Sequence, residues 1–202
     1  MTPFDPLQYK NIERQVYSMT APDYDKYGSA TFESCAQPLL QHARLVPGQV
    51  VLDVACGPGI PSLMAAPMVA PGGTVTGVDL APGMVALARS KAQAKAFANV
   101  DFREGDAEAL PFPDDSFDVV LYAGFQQIQA FRHNVVFEVK SASEYWKGVV
   151  GISGRLQMLL KNIPEETAAR IRNTVMETVE RFRTGDNKIV IPCEEVVGMA
   201  RK

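Results

Sequence analysis

Long apolar runs are missing from this chain. None approaches the roughly 20 residues that a membrane-crossing helix needs. Cysteine is scarce as well: Cys35, Cys56 and Cys193 lie far apart, with no CxxC and no Cys/His grouping. That argues against a disulfide framework or a structural metal, and for reduced thiols in a cytoplasmic protein. Positive charge is not in excess, since the net charge is −3. Nothing general in the electrostatics therefore calls for a nucleic acid or an anionic membrane. The most Arg-rich stretch, residues 170–188, is interleaved with Glu177, Glu180 and Asp186 and reads as a solvated helix face. Histidine is limited to the isolated His42 and His133, which suit packing or solvent better than catalysis. The opening M-T-P-F-D-P lacks the basic-then-apolar pattern of a leader, so none is expected. No internal repeat stands out.

The 202 residues are ordinary in composition, 47% apolar and 21% charged, and are expected to form a single domain, 1–202. Residues 1–30 show no sustained period, whereas Phe32, Cys35, Ala36, Leu39, Leu40 and Ala43 mark an amphipathic helix over 31–45. From residue 50 the pattern becomes alternation. Strands are expected at 50–55, 74–80, 100–103 and 117–122, and helices at 61–69 and 82–98. Apolar strands alternating with helices imply a parallel α/β sheet with right-handed crossovers, a Rossmann-like wind. After residue 122 the wind stops. Short strands at 125–129 and 135–139, helical pieces at 144–152 and 156–160, a helix from Pro164 and a terminal strand at 188–199 interrupted by Pro192 make an α+β C-terminal part. The expected division is a helical cap over 1–46, a cofactor-binding core over 47–122 and C-terminal strands and helices over 123–202. Tyr145, Trp146 and Phe182 are assigned to core packing.

Ligands of such sheets bind outside the carboxyl ends of the strands. There the sequence carries Asp53 and the turn Gly57-Pro58-Gly59, then Asp79, then Asp106, then Tyr122. Three of four strand ends bear an acid, which packing alone does not explain. A dinucleotide fold also has two glycines here and an acid about 20 residues on, but it wants Gly or Ala where Ser62 stands. A carboxylate at Asp53 would repel a pyrophosphate and attract an ammonium or sulfonium. A ribose-bearing ligand with a cationic end and no phosphate fits better, and a nicotinamide-dependent oxidoreductase is disfavoured.

The blocks V-L-D-V-A-C-G-P-G (51–59), V-T-G-V-D-L-A-P-G-M (75–84), F-R-E-G-D-A-E-A-L-P-F (102–112) and S-F-D-V-V-L (116–121) resemble the class I S-adenosylmethionine-dependent methyltransferases, of the ubiquinone/menaquinone-biosynthesis small-molecule type. The resemblance implies S-adenosylmethionine as cofactor, S-adenosylhomocysteine as product and a small-molecule methyl acceptor. It implies that Asp53 holds the methionine ammonium, directly or through water. Ala55, Gly57 and Gly59 would let backbone approach the cofactor, and Asp79 would take both ribose hydroxyls. Leu80 and Met84 would pack on the adenine, Asp106 would accept from its amine, the Ala107 backbone would meet its edge, and Tyr122 would lie by the methionine part. No catalytic base and no metal ligand is assigned. Tyr24 and Tyr27 precede the amphipathic segment and are candidates for the acceptor side, or for a plain surface role.

The resemblance weakens after Tyr122. The family's fifth strand and its flanking helices have no counterpart, and Leu121-Tyr122 runs directly into Ala123-Gly124-Phe125. The fourth strand is thereby left with an open edge. A C-terminal strand is expected to move beside it, or two chains to complete each other's sheets. The alternative function is a methyltransferase-like protein that binds cofactor or a partner without turnover.

Overall fold

The computed structural model describes residues 5–121 and 129–199. Four parallel strands, β1 (Val50–Val54), β2 (Thr74–Asp79), β3 (Val100–Glu104) and β4 (Val119–Leu121), form a sheet in the order β3-β2-β1-β4. The chain winds outward from β1 through α2 (Ile60–Val69) and α3 (Pro82–Ala94), then returns to the other side of β1 for β4. That reversal is the Rossmann-like switch. The register sets Leu52 between Thr76 and Val120. Asp118 fastens the start of β4: its carboxylate accepts from the Val50 N–H at 2.7 Å and its own N–H donates to the Val50 carbonyl at 2.8 Å.

The side-chain period of two divides the core. Val51 and Val75 face α2 and the end of α1 (Pro6–Ala43), packing with Leu40, Ala43, Ala65, Ala66 and Val69. Leu52, Val54 and Val78 take the other face, against Leu110, Phe112, Phe117 and Val120. Phe102 ends the sheet side of α3, packed with Cys56, Leu63, Val85, Ala88 and Ala92.

α1 is the main departure from the sequence reading. It runs unbroken for 38 residues through Pro22 and Pro38, where a helix was expected only from residue 31. Asp5 caps it, its Oδ1 accepting from the Leu7 and Gln8 N–H groups, and Pro6 stands in the first turn, where no N–H is needed. No single apolar stripe marks the helix because its neighbours change along its length. Ser18 meets Gly83 of α3, Val16 and Thr20 meet Gly154, Tyr27 meets Gly148 and Gly151, and Leu40 meets the sheet.

The C-terminal part contains β5 (Gln129–Val139), α4 (Ala142–Ile152), α5 (Gly154–Lys161), α6 (Glu165–Glu180) and β6 (Ile189–Met199). Here one expectation is corrected. β6 does not join β4: it pairs antiparallel with β5 over eleven residues of each strand, forming a separate two-stranded sheet. Among the described residues β4 pairs with β1 alone. β5 and β6 satisfy each other's ladder, and the ribbon packs on α1, α4 and α6 rather than on a three-residue edge. Pro192 sits opposite Val136 within this ribbon, where both strands are edges and a missing N–H is tolerated. Phe182 is also corrected: it is 40% exposed and not core, while Tyr145 packs beside Ala142, Val179 and Ile189.

Candidate functional site

β1 ends in a turn that only small residues can make. Ala55 and Gly57 both have left-handed backbone, φ 57° and 54°, and Gly59 follows at φ 80° as the N-cap of α2. The two glycines differ in their surroundings. A Cβ on Gly57 would meet nothing within 4 Å, so its face is open to an approaching ligand. A Cβ on Gly59 would come within 2.7 Å of the Phe102 ring and 3.0 Å of the Ala88 Cβ, so Gly59 serves helix–sheet packing.

Asp79, at the end of β2, braces this turn. Its Oδ2 accepts from the Gly57 N–H at 2.8 Å and its Oδ1 from the Ala81 N–H at 2.9 Å. Two backbone donors fix the carboxylate, and each oxygen keeps a lone pair for an incoming hydroxyl. Burial pushes its pKa up, while the two N–H groups oppose that. At the end of β3, Asp106 accepts from the Glu108 N–H through Oδ1 at 2.9 Å and from the Lys10 ammonium through Oδ2 at 2.6 Å. The Lys10 bond holds Asp106 below the usual carboxylate range.

Between these strand ends and α1 lies a cleft of about 410 Å³, within the roughly 300–1,000 Å³ usual for small-molecule sites. Ala55, Gly57, Asp79, Leu80, Met84, Asp106 and Ala107 line it, so seven of the sequence-named residues meet in one place. Its other wall is α1, with Glu13, Arg14, Tyr17 and Tyr24. Tyr24 stacks on Phe32 with centroids 4.7 Å apart, and Tyr17 stands edge-on to Tyr24 at 6.1 Å. Burial pushes the Tyr24 phenol up to about 12, so it stays protonated. Glu13, Asp79, Asp106, Glu108 and Arg14 line the cleft; Lys10 pairs with Asp106 and Glu108, Arg155 with Glu13, and Arg14 with Glu104.

Comparison with known proteins agrees with this geometry. Residues 51–142 match the family model described as "Methyltransferase domain". Among curated relatives, aklanonic acid methyltransferase DauC of Streptomyces sp. (strain C5) is 35% identical over 113 residues, covering 56% of this chain and 51% of the relative. Demethylmenaquinone methyltransferase of Symbiobacterium thermophilum is 32% identical, covering 58% and 49%. Nocamycin O-methyltransferase of Saccharothrix syringae is 40% identical, covering 52% and 38%. The chain thus spans about half the length, or less, of the curated relatives it matches.

Asp53, in the block 51–59, does not line the cleft. The period of two turns it to the face of Val51 and α2, where it is 3% exposed and accepts a hydrogen bond from the Ser62 Oγ at 2.6 Å. The residue that speaks against a dinucleotide site is also the partner of the buried acid. Burial, only partly offset by Ser62, pushes Asp53 up to about 7, with the Asp79 charge adding to the rise. The unfolded chain releases this proton near pH 4 and the folded chain near 7, so the folded state binds more protons between them. This contribution to stability is greatest below pH 4 and falls as pH rises to 7. Unfolding free energies of Asp53→Asn from denaturant titrations, subtracted from those of the unsubstituted chain, should show a loss on the order of a few kcal/mol across that window. A flat difference would mean that the buried group is ionised throughout.

Tyr122 lies outside the described residues. Of the two tyrosines flagged near the N-terminus, Tyr24 lines the cleft, whereas Tyr27 packs against Gly148 and Gly151 of α4. Lys10, Glu13, Arg14, Tyr17 and Glu108 were missed. The Asp5-Pro6 start signal could have extended α1 back to the first four, but nothing in the sequence says which of its faces meets the strand ends. Cys56 is buried with its thiol pushed up, an inert packing residue, and the His42 ring bonds the Pro38 carbonyl at 2.7 Å.

Proposed function

We propose that the protein binds S-adenosylmethionine in this cleft and transfers its methyl group to a small-molecule acceptor. The observation that carries the reading is Asp79, a carboxylate fixed by the Gly57 and Ala81 N–H groups at the mouth of an acid-lined cleft. Its free lone pairs suit a ribose diol. Leu80 and Met84 offer apolar contact to the adenine, Asp106 an acceptor for its amine, and the Ala107 backbone a contact at its edge. Ala55 and Gly57 leave room for the methionine part, which Tyr122 is proposed to meet. Gly59 supports the site by packing rather than by contact. Asp53 acts from behind the turn on the ammonium, through water or through its field.

The bound cofactor supplies a methyl group on a positively charged sulfur. The protein's part is alignment and exclusion of water, worth several kcal/mol in such reactions. The rings of Tyr17 and Tyr24 give that wall, and their faces favour a nearby cation. The names of the relatives support a small acceptor. A cytoplasmic setting is supported by the wide spacing of the three cysteines, and among the described residues no helix is long and apolar enough to cross a membrane.

Calorimetric titration with S-adenosylmethionine, S-adenosylhomocysteine and NAD in parallel tests the reading. Binding of the first two without the third is expected, and binding of NAD alone would overturn it. A second reading, binding without turnover, is favoured by the run of Leu121-Tyr122 directly into Ala123-Gly124-Phe125, with no counterpart of the family's fifth strand and its flanking helices. Titratable binding together with no methyl transfer to any quinol or phenol acceptor would select it. The outer edge of β4 offers backbone groups to a second copy, and light scattering that reads a monomer at micromolar concentration would remove that proposal.

A further inference from the structure

The two carboxylates proposed to face the nucleoside are not held alike. Asp79 takes two backbone N–H groups, whereas Asp106 takes one, from Glu108 on Oδ1, and its side chain is 35% exposed. The second tie on Asp106 comes from a distant part of the chain: the Lys10 ammonium donates to its Oδ2 at 2.6 Å. The same ammonium donates to Glu108 Oε2 at 2.6 Å, so it sits between two carboxylates. An ionised carboxylate accepts about four hydrogen bonds, and each oxygen of Asp106 therefore keeps a lone pair for a ligand. Lys10 is itself held in place. Arg155 of α5 donates through Nε to Glu13 at 2.7 Å and lies 4.8 Å from the centre of the Tyr9 ring, and Arg14 pairs with Glu104. The first turns of α1 are thus tied down on both sides of Lys10.

We propose that Lys10 is a positioning residue: acting through Asp106, it sets the plane of that carboxylate and so selects a 6-aminopurine over a 6-oxopurine. The inference rests on the proposed role of Asp106 toward the ligand's amine. A carboxylate has only acceptors, so it attracts an amine and repels the carbonyl oxygen that a 6-oxopurine turns to it. Hydrogen bonds weaken steeply off their axis, so the preference needs a carboxylate that points one way. The Glu108 N–H alone holds one oxygen of Asp106 and leaves the other untied. Without Lys10, the Glu108 carboxylate would also repel Asp106 and turn it aside. The ammonium between the two removes that repulsion and fixes the second oxygen. Ion pairs this exposed, with the Lys10 side chain at 25%, contribute little to stability. The part of Lys10 is therefore in recognition, and its loss leaves the fold intact.

The test is calorimetric affinity for S-adenosylhomocysteine and for S-inosylhomocysteine, the same molecule with a 6-oxo group, in the whole chain and in Lys10→Met. The unsubstituted chain should prefer the amine about tenfold or more. Lys10→Met, which keeps most of the stem and removes the charge, should weaken S-adenosylhomocysteine about three- to tenfold and leave S-inosylhomocysteine within about twofold. In an Asp106→Asn background the same substitution should change neither ligand by more than about twofold, because no carboxylate is left there to orient. An equal loss for both ligands, or a loss that persists without the Asp106 carboxylate, would overturn the proposal and make Lys10 a tether of α1. Lys10→Ala, which keeps a strong helix former, carries the same test if Lys10→Met does not fold. The two readings fail separately. If the unsubstituted chain binds neither ligand, the proposed function falls, and if Asp106→Asn leaves the preference unchanged, its Asp106 contact falls. If the preference depends on Asp106 but survives Lys10→Met, only the role of Lys10 falls.

Discussion

Asp79→Ala removes the stabilisation that S-adenosylhomocysteine gives the unsubstituted chain. Ligand at a hundred times its dissociation constant should stabilise the fold by about 2.7 kcal/mol, which for a chain of this size raises the melting temperature by roughly 5–10 °C. The carboxylate is the group proposed to take two hydroxyls, and hydrogen bonds to a charged group contribute about 1.5–3 kcal/mol each. Affinity should fall by about 100- to 1,000-fold, so the same ligand concentration gives no shift. The substitution also strips the Gly57 and Ala81 N–H groups of their acceptor. Both lie beside the open cleft, where water can replace it, so the ligand-free variant should still melt cooperatively. Asp79→Asn keeps the shape but turns a donor toward one of those N–H groups, and should lose most of the shift as well. A variant that retains the full ligand-induced shift would remove Asp79 from the site.

The second large effect is on stability. Phe102 is 1% exposed, and its ring fills the space that side chains at Gly59 and Gly77 would occupy, 2.7 Å and 2.5 Å from the Cβ positions. One ring thus holds the glycine turn, β2 and α3 together. The Phe102 carbonyl also accepts from the Arg89 guanidinium at 2.6 Å and 2.9 Å, tying α3 to β3. Phe102→Ala leaves a cavity that glycine neighbours cannot fill, and such truncations cost about 3–5 kcal/mol. Against a typical total of about 5–15 kcal/mol, that is a large fraction. Urea denaturation should show the midpoint falling accordingly, and binding should weaken because the Gly57–Gly59 turn loses its backing. A cost under about 1 kcal/mol would mean that the ring is not the pin described.

What could be read before the structure follows from the physics of each element. The first four strands announced themselves because each is short and alternates with helices or loops, and three of the four end at an acid. The setting of Asp53 was only half legible. A buried strand acid needs something that satisfies it, yet its partner, Ser62, stands nine residues on, and the pairing appears only when the strand period and the first turn of α2 are combined. The two glycines of the turn looked equivalent in sequence. Phe102, far along the chain, makes Gly59 a packing residue and leaves Gly57 as the open one. α1 was not legible before residue 31 because it packs on different neighbours in succession and so carries no steady stripe. For the same reason the α1 residues of the cleft wall, other than Tyr24, were missed. The ribbon of β5 and β6 was misplaced because strand patterns reveal edges that need partners but not which edge takes which.

The central claim is that the carboxylates at successive strand ends form one site for a positively charged, phosphate-free nucleoside. A crystal structure of the whole chain with S-adenosylhomocysteine tests it most directly. The account predicts the ribose on Asp79, the adenine between Leu80 and Met84 with its amine at Asp106, and the amino-acid end beside Ala55 and Gly57. Ligand bound away from these residues, or a dinucleotide pyrophosphate seated at Gly57, would contradict it.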